Sequence, residues 1–181
     1  MSSFEPFYNS VKVHSLVDMG EEVARSAPGG GRAMWFSHTP RLDSQFPWDT
    51  YLQGKAIFES VLDLPGASWV LTLQPINSGM LKASARNGGG PLGVPEREEN
   101  LLCTCCGSPL ISPSFATVLL GSVFWGDSKD DVIMKGKMAE HSAWIETTAR
   151  NRGLLHLFVY MNYAFGNQNV YDGLGVKRWL R

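Results

Sequence analysis

The chain has 181 residues, of which 44% are hydrophobic, and its formal net charge is −1. This length suits a single domain, and the hydrophobic fraction is sufficient for a packed core, which excludes a disordered chain. The near-neutral charge argues against a nucleic-acid partner, and no apolar run is long enough to cross a membrane. The first residues show neither a basic start nor an apolar stretch, so no secretory signal is visible and the localisation stays open.

The first third of the chain predicts two strands and two helices. Ser15, with Asp18 three positions later, is typical of a helix N-cap, and the run Pro28-Gly29-Gly30-Gly31 ends that helix. Pro47 is expected to close a loop, after which Asp49 begins the second helix. The predicted strands cover residues 11–14 and 32–38.

The clearest strand covers residues 68–76. Its side chains alternate, so Trp69, Leu71 and Leu73 fall on one face and Gln74 falls on the other. The first face is predicted to be buried against helices, and the second becomes more polar towards Gln74. Residues 87–117 are predicted to form an irregular loop, which is rich in proline, serine and cysteine.

The last third predicts a strand over 118–125, a long helix and a final strand. Asp127 or Ser128 is expected to cap the helix, and Gly153 is typical of its end. An apolar segment then continues into the pattern Tyr160-Met161-Asn162-Tyr163, which is predicted as the last strand, and into an amide-rich loop. The apolar side of the helix is predicted to carry Met134, Met138, Ile145 and Ala149.

Three cysteines, Cys103, Cys105 and Cys106, lie within four positions. They could bind a soft metal as a cluster, or they could be thiols without chemistry. The second interpretation is favoured, because the usual zinc spacings need a second ligand pair and none is visible. No metal site is therefore predicted.

Five short motifs occur in an order that resembles a known family. They are Phe7-Tyr8-Asn9-Ser10, the strand from Trp69 to Gln74-Pro75, Gly88-Gly89-Gly90-Pro91-Leu92-Gly93, Arg152-Gly153-Leu154-Leu155-His156, and Tyr160-Met161-Asn162-Tyr163-Ala164. Together they resemble the substrate domain of fungal FAD-linked oxidoreductases of the berberine bridge enzyme-like type.

The alternation of strands and helices fits an α/β fold as well as an α+β fold. The resemblance implies the second: an α+β fold with a mostly antiparallel sheet, helices packed on one face, and the other face covering the flavin ring. The family's glycine-rich pyrophosphate loop and flavin-attachment histidine have no counterpart here. Compared with that family, residues 103–117 of the irregular loop look like an insertion. The chain is therefore interpreted as a single substrate domain over 1–181, either complete or incomplete; a fragment, a shortened paralogue and the product of an imperfect gene model are the open alternatives.

The resemblance also nominates site residues. It implies that Asn162 and Gln168 contact the cofactor, that Tyr160 and Tyr163 are candidate catalytic phenols, and that Gln74 binds substrate. Each has an alternative structural interpretation, as an amide that satisfies a strand end or turn, or as a packed tyrosine with a hydrated hydroxyl. Gln74 and Asn162 are predicted to lie on neighbouring strands and to point to the same face.

Three functions remain open at this point. The first is the substrate-domain part of an FAD-linked oxidoreductase, of a kind often found in fungal secondary metabolism, in which the flavin performs the redox step. The second is an FAD-free family member that catalyses a non-redox cyclisation or isomerisation. The third is an accessory protein that pairs with a flavoprotein subunit. FAD is implied by resemblance, and the chain alone is not expected to retain it; the expected partners are a small-molecule substrate and either a second copy or a flavoprotein.

Overall fold

The computed structural model describes residues 15–26, 30–41, 43–77 and 114–171, with a few single positions besides. By its internal contacts the chain divides into two units, Met1–Gly31 and Arg32–Arg181. The elements whose bounds the structure gives are α1 (Leu16–Ser26), β1 (Arg32–Pro40), α2 (Phe46–Phe58), β2 (Ser68–Asn77), β3 (Ser114–Trp125), α3 (Asp131–Asn151) and β4 (Leu155–His156).

The first unit contains α1, whose N-terminus is capped as the sequence predicts. Ser15 Oγ accepts a hydrogen bond from the Asp18 backbone N–H at 3.1 Å, and Ser15 N–H reaches back to the Asp18 carboxylate at 3.3 Å. This reciprocal pair satisfies N–H groups that a helix end leaves without intrahelical partners. The helix ends at Ser26, two residues before the Pro28 that is predicted to stop it.

The second unit is built on an antiparallel sheet with the strand order β2-β3-β1-β4. The central strand β3 places Gly121 opposite Phe36 of β1 and opposite Leu71 of β2. The prediction of an α+β fold with a mostly antiparallel sheet is confirmed in the described part of the chain.

Helices α2 and α3 pack on one face of this sheet and form the main core with it. Alternation turns Phe36 of β1 and Leu119 and Val123 of β3 towards the helices, and each is fully buried. The four apolar positions predicted for the long helix, Met134, Met138, Ile145 and Ala149, are all buried on α3. His141 lies between them and is buried as well, so a polar ring belongs to the same apolar stripe.

A carboxylate joins the start of β1, the end of β3 and the start of α3. Asp131 accepts a two-pronged hydrogen bond from Arg32, one from Trp125 Nε1 at 2.9 Å, and one from Lys135 Nζ at 3.3 Å. These donors, the Arg32 guanidinium first, lower the pKa of Asp131 to about 2 although burial acts in the opposite direction.

The start of α2 differs from its prediction. The helix begins at Phe46, so Pro47 lies in its first turn, where a missing N–H is harmless. Asp43 Oδ1 accepts from the backbone N–H groups of Gln45 at 2.9 Å and Phe46 at 2.8 Å. Asp43, three residues before the helix, is therefore the residue that caps its start, and the sequence prediction did not identify it.

The bounds of β3 also differ. The strand begins at Ser114, so residues 114–117 belong to the sheet instead of the predicted loop. The cysteine group and residues 172–181 lie outside the described residues. The assignment of 1–181 to one substrate domain stays a prediction.

Candidate functional site

The outer face of the sheet is the face opposite the helices, and it is where the resemblance places a ligand. Its centre is formed by two rows of side chains across β2, β3 and β1 and by one pair across β2 and β3, which are set by the strand register. The rows are Val70, Ser122 and Trp35, and Thr72, Leu120 and Ser37; the pair is Gln74 and Val118.

A covering segment, residues 157–168, lies against one end of this outer face. Phe158 is 2% exposed and packs with Val118 and Leu120 in a small second core. Tyr160 and Tyr163 pack against the same cluster, with their ring centroids 5.4 Å apart. The side chains of the segment therefore cover the apolar part of this end of the outer face.

This segment is not the strand that the sequence predicts. Strand pairing with β1 is limited to two residues, Leu155 opposite Pro40 and His156 opposite Thr39. Residues Met161–Tyr163 form a single 3-10 turn. The prediction of a last strand through Asn162 is therefore wrong, and so is the prediction that Asn162 and Gln74 lie on neighbouring strands.

The side chain of Gln168 explains why the strand stops. Its Oε1 accepts from the Ser37 backbone N–H at 3.1 Å, and its Nε2 donates to the Ser37 carbonyl at 2.7 Å. The amide thus occupies both backbone groups of Ser37 as an adjacent strand would. Oε1 also accepts from Phe165 N–H at 2.8 Å, and Ser37 Oγ accepts from Tyr160 N–H at 3.0 Å. Gln168 is the anchor of the covering segment.

The same amide fixes the chemistry of His38. Because Gln168 Oε1 accepts two backbone N–H groups, its nitrogen must be the atom that faces His38 Nε2 at 3.4 Å. An amide nitrogen only donates, so Nε2 of His38 is an acceptor, and it also pairs with Ser142 Oγ at 2.8 Å. Burial first, and then the proximity of His141, lower the pKa of His38 to about 4, with Ser142 acting in the opposite direction. His38 is neutral near pH 7.

Asn162 and Tyr163 line a shallow cleft of about 440 Å³ beside Trp35. Asn162 is exposed, and its Nδ2 donates to the Tyr160 hydroxyl at 3.0 Å. Trp35 is 38% exposed and contacts Tyr163 at a centroid distance of 6.4 Å and Phe124, edge to face, at 6.1 Å. Trp35, Phe124 and Tyr163 together form a half-exposed aromatic surface. It borders the side-chain oxygen of Asn162, which accepts no hydrogen bond from the described residues.

Gln74 lies on the outer face, opposite Val118 in the register, and is exposed. Alternation therefore places it on the same side of the sheet as the covering segment, which packs on Val118. A shared site of Gln74 and Asn162 stays a prediction, as do the roles given to Tyr160, Tyr163 and Gln168.

The sequence interpretation missed several residues that structure this region. Trp35, Ser37, His38 and Thr39 all come from β1, which carried no site prediction. The available signal was the run Ser37-His38-Thr39 inside an otherwise apolar strand, since consecutive polar residues on both faces of a central strand need partners.

Alanine variants of Gln168 and Gln74 should distinguish a glutamine that stabilises the fold from one that is free to contact a ligand. Gln168→Ala leaves Ser37 N–H, Ser37 C=O and Phe165 N–H without their partner, so we expect a loss of about 2 kcal/mol in the free energy of unfolding. Gln74→Ala is the matched control, because the exposed Gln74 amide makes no hydrogen bond to described residues, and we expect a change within about 0.5 kcal/mol. Urea denaturation measures both; equal losses would contradict the anchor.

The described residues contain no group of three or more His, Cys, Asp or Glu side chains placed to hold a metal ion. Among the helices that the structure describes, none combines the length and the apolar character needed to cross a bilayer.

Comparison with known proteins finds two fungal relatives. The chain is 27% identical over 175 residues to the FAD-dependent monooxygenase FUP4 of Fusarium proliferatum. The alignment covers 93% of the chain and 31% of that protein. It is 26% identical over 175 residues to the FAD-dependent monooxygenase tpcD of Cochliobolus heterostrophus, and this alignment covers 92% of the chain and 30% of that protein. No family model and no solved structure matches. The chain thus spans about three-tenths of the length of these curated relatives, and it is a distant relative of fungal FAD-dependent monooxygenases.

Proposed function

We propose that this chain forms the substrate-domain part of an FAD-dependent oxidoreductase and that its outer face covers the flavin ring. The observation that carries the proposal is the half-exposed aromatic surface of Trp35, Phe124 and Tyr163 beside the Asn162 amide. The similarity to two FAD-dependent monooxygenases supports the cofactor class. A berberine bridge enzyme-like origin and a role in fungal secondary metabolism are the finer parts of the same proposal.

The residues of this face fit the ring portion of the cofactor. An isoalloxazine is flat and largely apolar, with hydrogen-bonding atoms along one edge, so it suits an aromatic surface bordered by an amide. Asn162 Nδ2 is engaged by Tyr160, and its Oδ1 accepts no hydrogen bond from described residues, so it is available to an N–H donor of a ligand. In the described residues, no glycine-rich turn connects a strand to a helix N-terminus as a pyrophosphate cradle would.

The division of labour follows from these groups. When bound, the flavin supplies the redox chemistry, accepting reducing equivalents and passing them to oxygen. The chain supplies position: Gln168 holds the covering segment to β1, and the segment in turn holds Tyr160 and Asn162 over the outer face. The Tyr160 hydroxyl accepts from Asn162 and keeps its own proton to donate, which suits it to hold a ligand oxygen or to transfer a proton.

The remainder of the cofactor site is proposed to come from outside this substrate domain. A second part of the same polypeptide or a separate flavoprotein subunit would supply the pyrophosphate contacts. The exposed apolar side chains of the outer face, including Trp35 and Val70, would be covered on docking.

Ring-only recognition makes a measurable prediction. We expect the purified chain to bind lumiflavin, riboflavin and FAD weakly and with dissociation constants within about a factor of three of one another, because only the shared ring is contacted. Quenching of flavin fluorescence on titration with protein measures the three affinities. FAD binding that is tighter than lumiflavin binding by tenfold or more would contradict ring-only recognition and show a dinucleotide cradle.

Two tryptophan variants locate the ring. Trp35→Ala should abolish the quenching, whereas Trp48→Ala, which removes a tryptophan of similar exposure from α2, should leave it unchanged. Equal effects of the two variants, or no quenching with the wild-type chain, would overturn the proposed position of the flavin.

A further inference from the structure

A second cleft, of about 320 Å³, lies where the end of β1, helix α3 and the covering segment meet. Helix α3 turns one face to it, because the α3 residues of its lining recur at helical spacing: Ala139, Ser142, Ala143, Glu146 and Arg150. Alternation along β1 turns His38 to the same side as Phe36, towards the helices. His38 and Ser142 therefore meet in the wall of this cleft, which we call the β1–α3 cleft.

The hydrogen bond between Ser142 and His38 has a fixed direction. The nitrogen of Gln168 faces His38 Nε2 at 3.4 Å, so Nε2 carries no proton and is an acceptor. Ser142 Oγ lies 2.8 Å from the same Nε2 and must donate its proton to it. A serine hydroxyl that donates to a neutral imidazole at this distance has the arrangement of an activated nucleophile. Ser142 is 8% exposed and faces the cleft from α3.

His38 is deprotonated over the whole neutral range, as a base must be. Burial lowers its pKa to about 4, and the proximity of His141 on α3 acts in the same direction. The other ionisable side chains of the described lining are Glu146 and Arg150, which pair with each other, and His156 of β4. A base with so low a pKa takes up a proton less readily than an ordinary histidine. The serine should therefore react slowly, and formation of an adduct is the useful measurement.

The cleft also offers a donor to the oxygen of a reacting carbonyl. Asn167 of the covering segment lines it, and the Asn167 side chain makes no hydrogen bond to described residues. A side-chain amide N–H is one of the groups that stabilise the oxyanion formed when a nucleophile attacks a carbonyl carbon. A cavity of this volume suits a molecule of about ten to fifteen non-hydrogen atoms.

We propose that Ser142 and His38 are a nucleophile and base that accept the acyl group of a small ester in the β1–α3 cleft. Ser142 Oγ forms a bond to the acyl carbon while its proton passes to His38 Nε2. The bond between the acyl carbon and the ester oxygen then breaks, and His38 returns the proton to the leaving alcohol. Attack of water on the acyl-serine, with His38 again taking up the proton, releases the acid and restores the hydroxyl. This activity does not rest on the proposed flavin position.

Acetylation by 4-nitrophenyl acetate tests the nucleophile, because this ester fits the cleft and releases a coloured product. We expect the full chain to release nitrophenol in a stoichiometric burst, with a rate constant about tenfold or more above that of Ser142→Ala. Peptide mapping of the wild-type chain by mass spectrometry should place the acetyl group on Ser142. The absence of a burst, or acetyl groups on lysines and the N-terminus alone, would overturn the proposal.

A variant and a pH series test the base. His38→Gln should slow the acetylation of Ser142 by about tenfold or more. Ser128→Ala, which removes an exposed serine just before α3, is the control and should leave the rate within about twofold. In the wild-type chain the rate constant, corrected for spontaneous hydrolysis, should be level from about pH 5.5 to about pH 8, because His38 is already deprotonated there.

Two results would refute the role of His38. One is an unchanged rate in His38→Gln, and the other is a wild-type rate that bends near the ordinary histidine value of about 6.5. The mapping and the pH series use the wild-type chain, so they decide the question even where a variant folds poorly.

Discussion

Replacing Gly121 by alanine is expected to destabilise the protein by about 3 kcal/mol. Gly121 is the residue of the central strand β3 that faces Phe36. A Cβ atom at this position would lie 2.3 Å from Phe36 Cζ and 2.4 Å from Phe36 Cε1. Phe36 is fully buried between the sheet and α3, so its ring cannot swing into solvent to relieve the overlap. Guanidinium denaturation measures the loss.

Gly136→Ala is the matched control for this prediction. Gly136 lies on the exposed side of α3, and a Cβ atom there would meet nothing within 4 Å. The same substitution should therefore stabilise the protein by about 0.5–1 kcal/mol, because alanine is the better helix former. Opposite signs for the same chemical change show that the cost at Gly121 comes from packing.

A second variant makes the cause at Gly121 specific. Phe36→Leu in the Gly121→Ala background should cost less than Phe36→Leu in the wild type, because the smaller side chain removes the overlap. Additive losses from the two substitutions, or a Gly121→Ala protein as stable as the wild type, would contradict the packing argument.

Acidification from pH 7 to pH 4 should remove several kcal/mol of folding free energy through two histidines. Burial lowers the pKa of His141 to about 4, with the Thr50 carbonyl and Glu140 acting in the opposite direction, and burial also lowers the pKa of His38 to about 4. The ordinary histidine value is about 6.5. Between these values the unfolded chain binds more protons than the folded one, so the unfolded state gains as the pH falls.

The pH window and size follow from the same values. Each neutral histidine contributes about 3 kcal/mol to the free energy of unfolding. This contribution is fully present above about pH 6.5, decreases as the pH falls towards 4, and is lost below that value. The loss from Asp131, whose pKa is lowered to about 2, comes mainly below pH 4 and adds little within this window. Urea denaturation at a series of pH values from 7.5 to 4.5 measures the slope.

Variants assign that slope to the two rings. His38→Gln and His141→Gln should each flatten part of the slope, and the double variant should flatten most of it, whatever their effect on stability at pH 7. Val61→Ala lowers stability through the main core without removing a titrating group or a ring that contacts either histidine, so it should keep the wild-type slope. A wild-type stability that is level between pH 7 and 4.5 would show that neither ring resists protonation in the folded state.

His141 could be placed in the core from its position on α3, but its surroundings could not. Its Nε2 faces the Thr50 carbonyl at 3.1 Å, and its ring meets Phe36, Phe58 and Trp69 edge to face. These partners come from β1, α2 and β2, so the aromatic cage is assembled only when the three elements pack on α3. Helical spacing predicts that the ring is buried, whereas the lowered pKa of His141 depends on the packed core around it.

The sequence by itself determined what depends on neighbouring residues: the N-cap of α1, the buried stripe of α3, the alternation along β2 and the antiparallel α+β class that the motif order implied. Tertiary structure decided where the last segment goes. Tyr160-Met161-Asn162-Tyr163 has the composition of a strand, but Gln168 takes the backbone groups of Ser37, 131 residues earlier in the chain, and leaves a 3-10 turn over the outer face. A side-chain amide that replaces a strand is invisible to local patterning, because its two partners meet only after the sheet has formed.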